Sequence, residues 1–385
     1  MDKTIFDKII PRHNTNSLKY DFPAKYNKPA DAVPLWVADM DFPIAEEITQ
    51  AIQAYTHHGI YGYSEVGDSY FATLENWFKN QHDFHIQKDW LVKTPGIVYA
   101  LAMAIQAYTK VGEGVLIQKP LYYPIEGAIL ANHRTVIDNT LVYKNGTYHI
   151  DFDDFEKKAA QAKIFILCNP HNPVGRVWTY DELKEMARIV KKYNLIVISD
   201  EIHQDLTFDN HKHLTFANIT PDVKTITCTS PSKTFNLAGL QVSNIFIPDQ
   251  NLRDAFTTAM GTTGYSQLNT LGLVACQAAY THGLPWLTQL KDYLWQNMLY
   301  VKSTLADIAP QVDVIPLEGS YLLWLDFNKL GIPHDVLEDA LLTKAGLWLS
   351  SGTTFGATGE GFFRINLACP RTTLENITKI PLAFA

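Results

Sequence analysis

The stretch TSPSKTFNLAG, residues 229–239, decides the fold because it places Lys233 directly after an apolar, β-rich run. Small hydroxyl-bearing residues bracket the lysine on both sides. A lysine at the end of a buried strand costs free energy unless its amine is covalently bonded or paired with charge. The stretch therefore predicts a reactive lysine at the carboxyl end of a strand, although an isolated Ser-x-Ser-Lys sequence is more often a surface turn.

Three further polar sites lie upstream of Lys233. Asp200 ends one apolar run, Asn172 follows another, and Gly96 stands at the start of a predicted helix. In open α/β sheets the carboxyl ends of the strands meet at one edge, where ligands bind. The sequence therefore predicts that these four sites converge on the same edge of one sheet.

Composition and charge exclude several classes of function. The 385 residues carry a net charge of -8, with 46% hydrophobic and 19% charged residues, which argues against a nucleic-acid-binding surface. The first residues lack the apolar core of a signal peptide, and no apolar run approaches the roughly twenty residues of a membrane span. We therefore expect a cytoplasmic protein with no nucleic-acid or membrane partner.

Cysteine and histidine usage predicts no metal site. The four cysteines are scattered in apolar contexts, which favours buried thiols over disulfides or metal ligands. The adjacent histidines His57 and His58 have no carboxylate or cysteine at ligand spacing, so we interpret them as loop residues.

Apolar runs alternate with helical patterns between about residues 90 and 250, which is typical of a mostly parallel sheet with helical crossovers. Thr179 and Glu182 form a capping-box pattern at the start of one such helix. After about residue 280 the pattern changes to a long helix followed by strands, which predicts a smaller α+β domain. The predicted strands cover residues 114–118, 163–168, 195–199, 225–229 and 243–247.

Lys233 together with Asp200 fits a pyridoxal phosphate enzyme, in which a lysine forms a Schiff base and an acid binds the pyridinium nitrogen. Five blocks occur in order along nearly the whole chain: VADMDF (37–42), GY (62–63), PHNPVGRVW (170–178), SDEIH (199–203) and FRINLA (363–368). Their order and spacing resemble the aspartate aminotransferase superfamily, and more closely its branch of cystathionine β-lyase-like C–S lyases.

The resemblance implies an α/β architecture, the fold type I of pyridoxal phosphate-dependent transferases, with a mostly parallel central sheet flanked by helices. It implies a large cofactor-binding domain over residues 41–280 and a C-terminal small domain over residues 281–385. Residues 1–40 would form an N-terminal arm and part of the small domain. A homodimer with the active site at the subunit interface is also expected.

Roles at the cofactor ring follow from the same resemblance. Lys233 would hold the cofactor and then act as the base that removes the substrate Cα proton. Asp200 would keep the pyridine nitrogen protonated, although an Asp after a buried strand is also a common helix N-cap. Asn172 would donate to the phenolic oxygen, Tyr122 would stack on the ring, and Tyr123 would lie near the substrate.

The phosphate would lie at the helix start formed by Ile97 and Val98, where unpaired N–H groups favour an anion. Ser230 and Ser232 would add hydroxyl donors from the turn that carries the lysine. The resemblance places Tyr63 as a phosphate contact that reaches across from the other subunit.

Arg364 would bind the substrate α-carboxylate through its planar fork of donors, and a structural ion pair is the competing interpretation. The chain also departs from many aminotransferases at two positions. Gln241 stands eight residues after the lysine, where they carry a phosphate-binding arginine. His203 stands three residues after the acid, where they carry a tyrosine that binds the phenolic oxygen, and here His203 is assigned to the cofactor.

The leading interpretation is a C–S β-lyase of amino-acid metabolism that converts cystathionine or another cysteine S-conjugate to thiol, pyruvate and ammonia. An aminotransferase would use the same residues, and the sequence leaves the two reactions open. A third alternative, from a different class, is a regulatory binding protein that retains the lyase fold.

Overall fold

The structure is a computed structural model of the chain, and it describes residues 4–385. The strands are β1 (Val33–Pro34), β2 (Leu91–Thr94), β3 (Gly114–Ile117), β4 (Thr135–Asp138), β5 (Val142–Lys144), β6 (Thr147–His149), β7 (Ala162–Cys168), β8 (Ile196–Asp200), β9 (Thr225–Thr229), β10 (Ser243–Phe246), β11 (Asp313–Val314), β12 (Leu322–Asp326), β13 (Leu347–Trp348), β14 (Ser350–Ser351) and β15 (Phe362–Asn366). The α-helices are α1 (Glu46–His57), α2 (Asp68–His82), α3 (Ile97–Tyr108), α4 (Tyr123–Ala131), α5 (Phe152–Ala159), α6 (Tyr180–Lys192), α7 (Phe216–Ile219), α8 (Pro231–Thr234), α9 (Gln250–Gly261), α10 (Thr270–His282), α11 (Leu284–Ile308), α12 (His334–Thr343) and α13 (Arg371–Leu374). Within residues 4–385, no helix combines the length and the apolar content that a membrane crossing requires.

A seven-stranded sheet in the order β2-β10-β9-β8-β7-β3-β4 forms the centre of the molecule. The strands from β9 to β4 pair in parallel, and only β10 runs antiparallel to its neighbours β2 and β9. Since β10 is reversed against both, β2 points in the same direction as β9. The prediction of a mostly parallel α/β sheet is confirmed.

The apolar strands of this sheet are buried on both faces. Along β7, Phe165 and Leu167 belong to the core on one side of the sheet, and Ile164 and Ile166 belong to the core on the other. This alternation follows from the two-residue period of a strand. It explains why the sequence of β7 reads as a continuous apolar run rather than as an alternation of apolar and polar residues.

Helix α6 begins at the predicted capping box. The Thr179 hydroxyl accepts from the backbone N–H of Glu182 at 3.3 Å, and the Glu182 carboxylate accepts from the Thr179 N–H at 2.8 Å. One face of this helix, with Leu183, Met186, Ala187 and Val190, is buried. Helix α3 likewise begins at Ile97, directly after Gly96, as the sequence indicates.

A second sheet, in the order β11-β12-β15-β14, is antiparallel and lies in the C-terminal part of the chain with the long helix α11. The short strand β1 pairs in parallel with β13, so the N-terminal segment joins the C-terminal part. The domain boundaries after residues 40 and 280 stay a prediction.

Two strands of the central sheet were not predicted. Strand β2 is only LVKT, half-buried at the sheet edge, and β4 is only TVID at the opposite edge. Four residues are too few to show a period, and most of those in β2 and β4 are partly exposed. Their pairing depends on partners that are distant in sequence, namely β10 for β2 and β3 for β4.

Gly272 in α10 should not tolerate a side chain. A Cβ at this position would overlap the Leu240 carbonyl oxygen and lie 2.6 Å from Val242 Cγ2. We expect Gly272→Ala to lower the free energy of unfolding by about 1–3 kcal/mol, as overpacking does. The matched control is Gly127→Ala in α4, where a Cβ meets nothing within 4 Å. Thermal unfolding should show a loss at 272 and none at 127, and equal effects would contradict the packing argument.

Candidate active site

The carboxyl ends of the parallel strands bring the predicted site residues to one edge of the central sheet. Register pairs Cys168 of β7 with Asp200 of β8, and Asp200 with Cys228 of β9. The segment after β7 carries Asn172, and the segment after β9 carries Lys233. The predicted convergence of polar groups is therefore observed.

Lys233 lies on α8, a single helical turn directly after β9. The Ser230 hydroxyl caps this turn by accepting from the Ser232 N–H at 3.2 Å. The lysine amine donates to the carbonyl oxygen of Ala38 at 2.6 Å. Burial first, and then the positive charge of Arg364, lower the pKa of the amine to about 8. At pH 7 roughly a tenth of the amine is therefore neutral and able to act as a nucleophile or base.

Asp200 is a buried carboxyl group, only 5% exposed. Its Oδ1 accepts from the backbone N–H of Ile202 at 3.2 Å, and none of the residues 4–385 forms an ion pair with it. Burial raises its pKa to about 7. A protonated ring nitrogen placed against this carboxyl group would supply the missing cation, which fits the predicted role.

Arg364 lies on β15, 5% exposed, with neutral partners only. Its Nη1 donates to Asn172 Oδ1 at 3.0 Å, and its Nη2 donates to the Trp36 carbonyl oxygen at 3.0 Å and to Ser350 Oγ at 3.2 Å. The guanidinium also lies 4.7 Å from the Phe355 ring centre. The alternative of a structural ion pair is wrong for residues 4–385, because no carboxylate contacts this arginine. A buried guanidinium without an anion fits a substrate carboxylate.

Tyr122 and Tyr123 lie where β3 leads into α4. The Tyr122 N–H donates to the Asn172 carbonyl oxygen at 3.0 Å, which ties this segment to the one after β7. The two rings are 5.6 Å apart and inclined at 53°. Burial raises the pKa of Tyr122 to about 12, so its hydroxyl stays protonated. Tyr123 is 49% exposed and faces outward more than its neighbour.

His203 is buried close to Lys233 and Arg364. Burial, followed by the charges of these two residues, holds the pKa of the imidazole well below its ordinary value, so the ring is neutral. Its ring lies 6.0 Å from that of Tyr321, at an angle of 75°. A neutral imidazole can donate or accept one hydrogen bond at each ring nitrogen, according to its tautomer.

The predicted phosphate site lies at the start of α3. No side chain caps this helix, so the first N–H groups, including those of Ile97 and Val98, are available to an anion. A Cβ at Gly96 would meet nothing within 4 Å, which indicates open space at the turn. The Ser230 hydroxyl donates to the Val242 carbonyl oxygen at 2.7 Å, which occupies its proton. The partly buried Ser232 hydroxyl lies 2.8 Å from Ser230 Oγ, to which it can donate while Ser230 donates to Val242.

Tyr63 is 98% exposed in the single chain. Its role as a contact from a second subunit stays a prediction. Gln241, at the position of the missing arginine, is also exposed, with φ of 50°. Within residues 4–385, no cluster of three or more His, Cys, Asp or Glu side chains could hold a metal ion.

The residues present fit pyridoxal phosphate. A lysine with a lowered pKa, a buried acid without a cation and a buried arginine without an anion lie at one sheet edge. An open helix start lies at the same edge, since β2 runs parallel to β9. Each of these groups would gain a partner of opposite charge or a covalent bond from the cofactor or from an amino-acid substrate.

Several groups that complete the site could not be assigned from sequence patterns. The Ala38 carbonyl oxygen accepts from both Lys233 and Tyr321, whose hydroxyl donates at 2.8 Å. Phe355 lies under the Arg364 guanidinium. The sequence block VADMDF was the only feature that drew attention to the segment around Ala38. A main-chain carbonyl oxygen is present in every residue, so no sequence pattern identifies it as an acceptor.

Comparison with known proteins agrees with this arrangement. Residues 30–380 match the family model described as aminotransferase class I and II. The chain is 39% identical to cystathionine β-lyase PatB of Bacillus subtilis over 375 residues, which cover 96% of this chain and 97% of that protein.

Solved structures of related proteins also agree with the fold and the site described above. Cystalysin from Treponema denticola, whose structure contains pyridoxal 5'-phosphate, superimposes with a TM-score of 0.94 at 38% identity and 98% coverage of each chain. The PLP-bound C–S lyase from Staphylococcus hominis superimposes with a TM-score of 0.93 at 34% identity, covering 100% of this chain and 98% of that one. The fold type I architecture expected from the sequence is confirmed.

Asp200 should make the cofactor-free protein less stable as pH rises. Its folded-state pKa is about 7, against an ordinary value of 3.8, so within this window the folded chain retains a proton that the unfolded chain releases. The stability that this proton contributes is full below the lower value and is lost as pH rises through the upper one. Asn cannot titrate. We therefore measure the melting temperature of Asp200→Asn minus that of the unchanged chain. This difference should increase as pH rises from 3.8 to about 7, whereas a constant difference would contradict the raised pKa.

Proposed function

The chain belongs to the class I and II aminotransferase family, and from this premise we propose that it is a pyridoxal phosphate-dependent C–S β-lyase. Its substrate is cystathionine or another cysteine S-conjugate, and its products are a thiol, pyruvate and ammonia. The observation that carries the proposal is the convergence of Lys233, Asp200 and Arg364, none of which has a partner of opposite charge within ion-pair distance among residues 4–385.

The bound cofactor supplies an electron sink for the bond broken at the substrate Cα. Arg364 binds the α-carboxylate and so fixes the orientation of the substrate. The amine of Lys233, with its pKa lowered to about 8, removes the Cα proton. Asp200 would hold the ring nitrogen of the cofactor in its protonated form, because a buried carboxylate favours the charged form of a basic group next to it.

Similarity along the whole chain supports the sulfur-eliminating reaction. The relative from Bacillus subtilis is named a cystathionine β-lyase. Of the two solved structures compared above, one is named cystalysin and the other a C–S lyase. The departures at His203 and Gln241 from the pattern of many aminotransferases point in the same direction.

Transamination is the second candidate, favoured by the family description itself. Both reactions use Lys233, Asp200 and Arg364 up to removal of the Cα proton. They differ afterwards, because a lyase releases sulfur from Cβ, whereas an aminotransferase delivers the proton to the cofactor carbon. Product analysis therefore separates the two.

The first experiment is the absorbance spectrum of the protein with pyridoxal phosphate, followed by addition of L-cystathionine with pyruvate and thiol assayed together. We expect a visible band of lysine-bound cofactor and equal amounts of pyruvate and thiol. Lys233→Ala should abolish the band, whereas Lys224→Ala, at the opposite end of β9 and exposed, should keep it. Conversion to the amine form of the cofactor without pyruvate would favour transamination, and absence of any band would overturn the cofactor assignment.

We also propose that the chain forms a homodimer in which Tyr63 completes the phosphate site of the partner. The segment around it is exposed and aromatic or apolar, with Ile60 at 72%, Tyr61 at 60% and Tyr63 at 98% exposure. Such a cluster is unusual for a free surface and typical of an interface. A cytoplasmic location is part of the same proposal, supported by four buried cysteines that are free thiols.

The dimer proposal predicts complementation. Tyr63→Ala and Lys233→Ala should each be nearly inactive alone. After mixing, unfolding and refolding, half of the dimers are hybrid, and each has one site with its own Lys233 and the partner's intact tyrosine. Activity should therefore recover to about a quarter of normal. No recovery despite hybrid dimers on sizing columns would show that Tyr63 does not act across the interface.

A further inference from the structure

A short segment of the N-terminal region crosses the active site and is held from both sides. This segment, WVADMDF at residues 36–42, is here termed the strap. On one side the Asn366 side chain donates to the carbonyl oxygens of Val37 and Asp39, each at 2.6 Å. Asn366 lies two residues after Arg364 on β15, so both side chains project from the same face of that strand.

The other side of the strap is bound by Asn236, in the segment that follows Lys233. The Asn236 amide donates to the carbonyl oxygens of Met40 and Phe42, each at 3.1 Å, and its oxygen accepts from the Met40 N–H at 3.0 Å. Asn236 follows Lys233 by three residues. The strap therefore lies between the element that carries the lysine and the strand that carries the arginine.

Ion pairs fix the outer side chains of the strap. Arg12 contacts Asp39 at 2.7 Å and Asp41 at 2.6 Å, and the fully buried Lys19 contacts Asp41 at 2.7 Å. These pairs anchor the side chains on both flanks of Met40. The main chain of the strap is left to face the site with little freedom to rotate.

The Ala38 carbonyl lies between the two peptide groups that Asn366 binds. Its oxygen accepts from Lys233 Nζ at 2.6 Å and from the Tyr321 hydroxyl at 2.8 Å. Burial strongly raises the pKa of Tyr321, so its hydroxyl remains a donor. A carbonyl oxygen can accept both donors because it carries two lone pairs.

We propose that the Ala38 carbonyl oxygen receives the Lys233 amine whenever the lysine is not bonded to the cofactor, and that Asn366 is the positioning residue that keeps this oxygen in place. The inference rests on the proposed function, in which the lysine leaves the cofactor and then removes the Cα proton. A neutral carbonyl oxygen suits this task. It orients the amine by a hydrogen bond but, unlike a carboxylate, does not take up the proton in its place.

Several charged or titratable groups face the lysine. Arg364 on the C-terminal sheet lowers the pKa of the amine, and Asp39 on the strap and Asp200 on β8 raise it. His203 is neutral and contributes no charge. Loosening the strap removes the carbonyl acceptor and displaces Asp39, and both changes disfavour the ammonium form.

Asn366→Ala tests the inference against a matched control. Asn297 is also a buried asparagine, and its side chain donates to two carbonyl oxygens, those of Leu367 at 2.9 Å and Cys369 at 3.0 Å. Asn297→Ala therefore removes the same type of contact next to Asn366 without touching the strap. Both variants should lose similar stability.

The readout is the rate at which cofactor-free protein binds pyridoxal phosphate to Lys233, measured over a pH series by absorbance. The rate plotted against pH has an inflection at the pKa of the Lys233 amine. We expect this inflection to move to lower pH by about one unit in Asn366→Ala, since a hydrogen bond to a charged group is lost. Asn297→Ala should keep the original inflection. Equal inflections in all three proteins, or equal shifts in both variants, would overturn the proposal.

Two additions keep the test decisive. If Asn366→Ala does not fold, Asn236→Gly loosens the strap from the other side, and glycine accepts the positive φ of 58° at that position. The lysine is also titrated without cofactor by NMR of lysine-labelled protein, assigned with Lys233→Ala. A chain that binds no cofactor would refute the proposed function, whereas an unshifted lysine titration in the loosened variants would refute only the role of the strap.

Discussion

Parallel pairing of β7, β8 and β9 is the constraint on which the site depends. The register that aligns Cys168, Asp200 and Cys228 in one row also sets the segments after these strands side by side. An acid buried at this row cannot turn to solvent, and the lysine turn beside it cannot move away without breaking the pairing. Sheet register therefore places Asp200 and the segments that carry Asn172 and Lys233, whereas Arg364 reaches the site from the C-terminal sheet.

Burial of ionisable groups prepares the same site for charged ligands. Lys233, Asp200 and Arg364 are each held in a place where their ordinary ionisation is disfavoured, with pKa values shifted to about 8, about 7 and about 10. Such groups reduce the stability of the empty protein. Ligands that carry complementary charges stabilise these groups. The destabilisation of the empty protein is thereby removed on binding, which strengthens binding and helps to orient the substrate.

Local sequence patterns predicted the parts of the site in which a polar residue directly follows an apolar strand. Asp200 and Asn172 belong to this class, and the lysine turn after β9 does as well. Tyr321 and Phe355 could not be found in this way, because they reach the site only when the C-terminal sheet packs against the strap. The Ala38 acceptor is a main-chain atom that any residue would provide. The role proposed for Tyr63 depends on a second chain, which no pattern within one chain can position.

The cysteines next to Asp200 have a consequence for an enzyme that releases thiols. When released thiols are oxidised to disulfides, those disulfides exchange with reactive thiolates, so an exposed cysteine beside the cofactor would accumulate mixed disulfides. Cys168 and Cys228 flank the acid on the neighbouring strands, yet they are only 3% and 1% exposed. Burial, followed by the charge of Asp200, raises the pKa of both thiols. Burial, with the charge of Asp200 as the second cause, thus keeps both sulfur atoms protonated and protects the site from reaction with its thiol product.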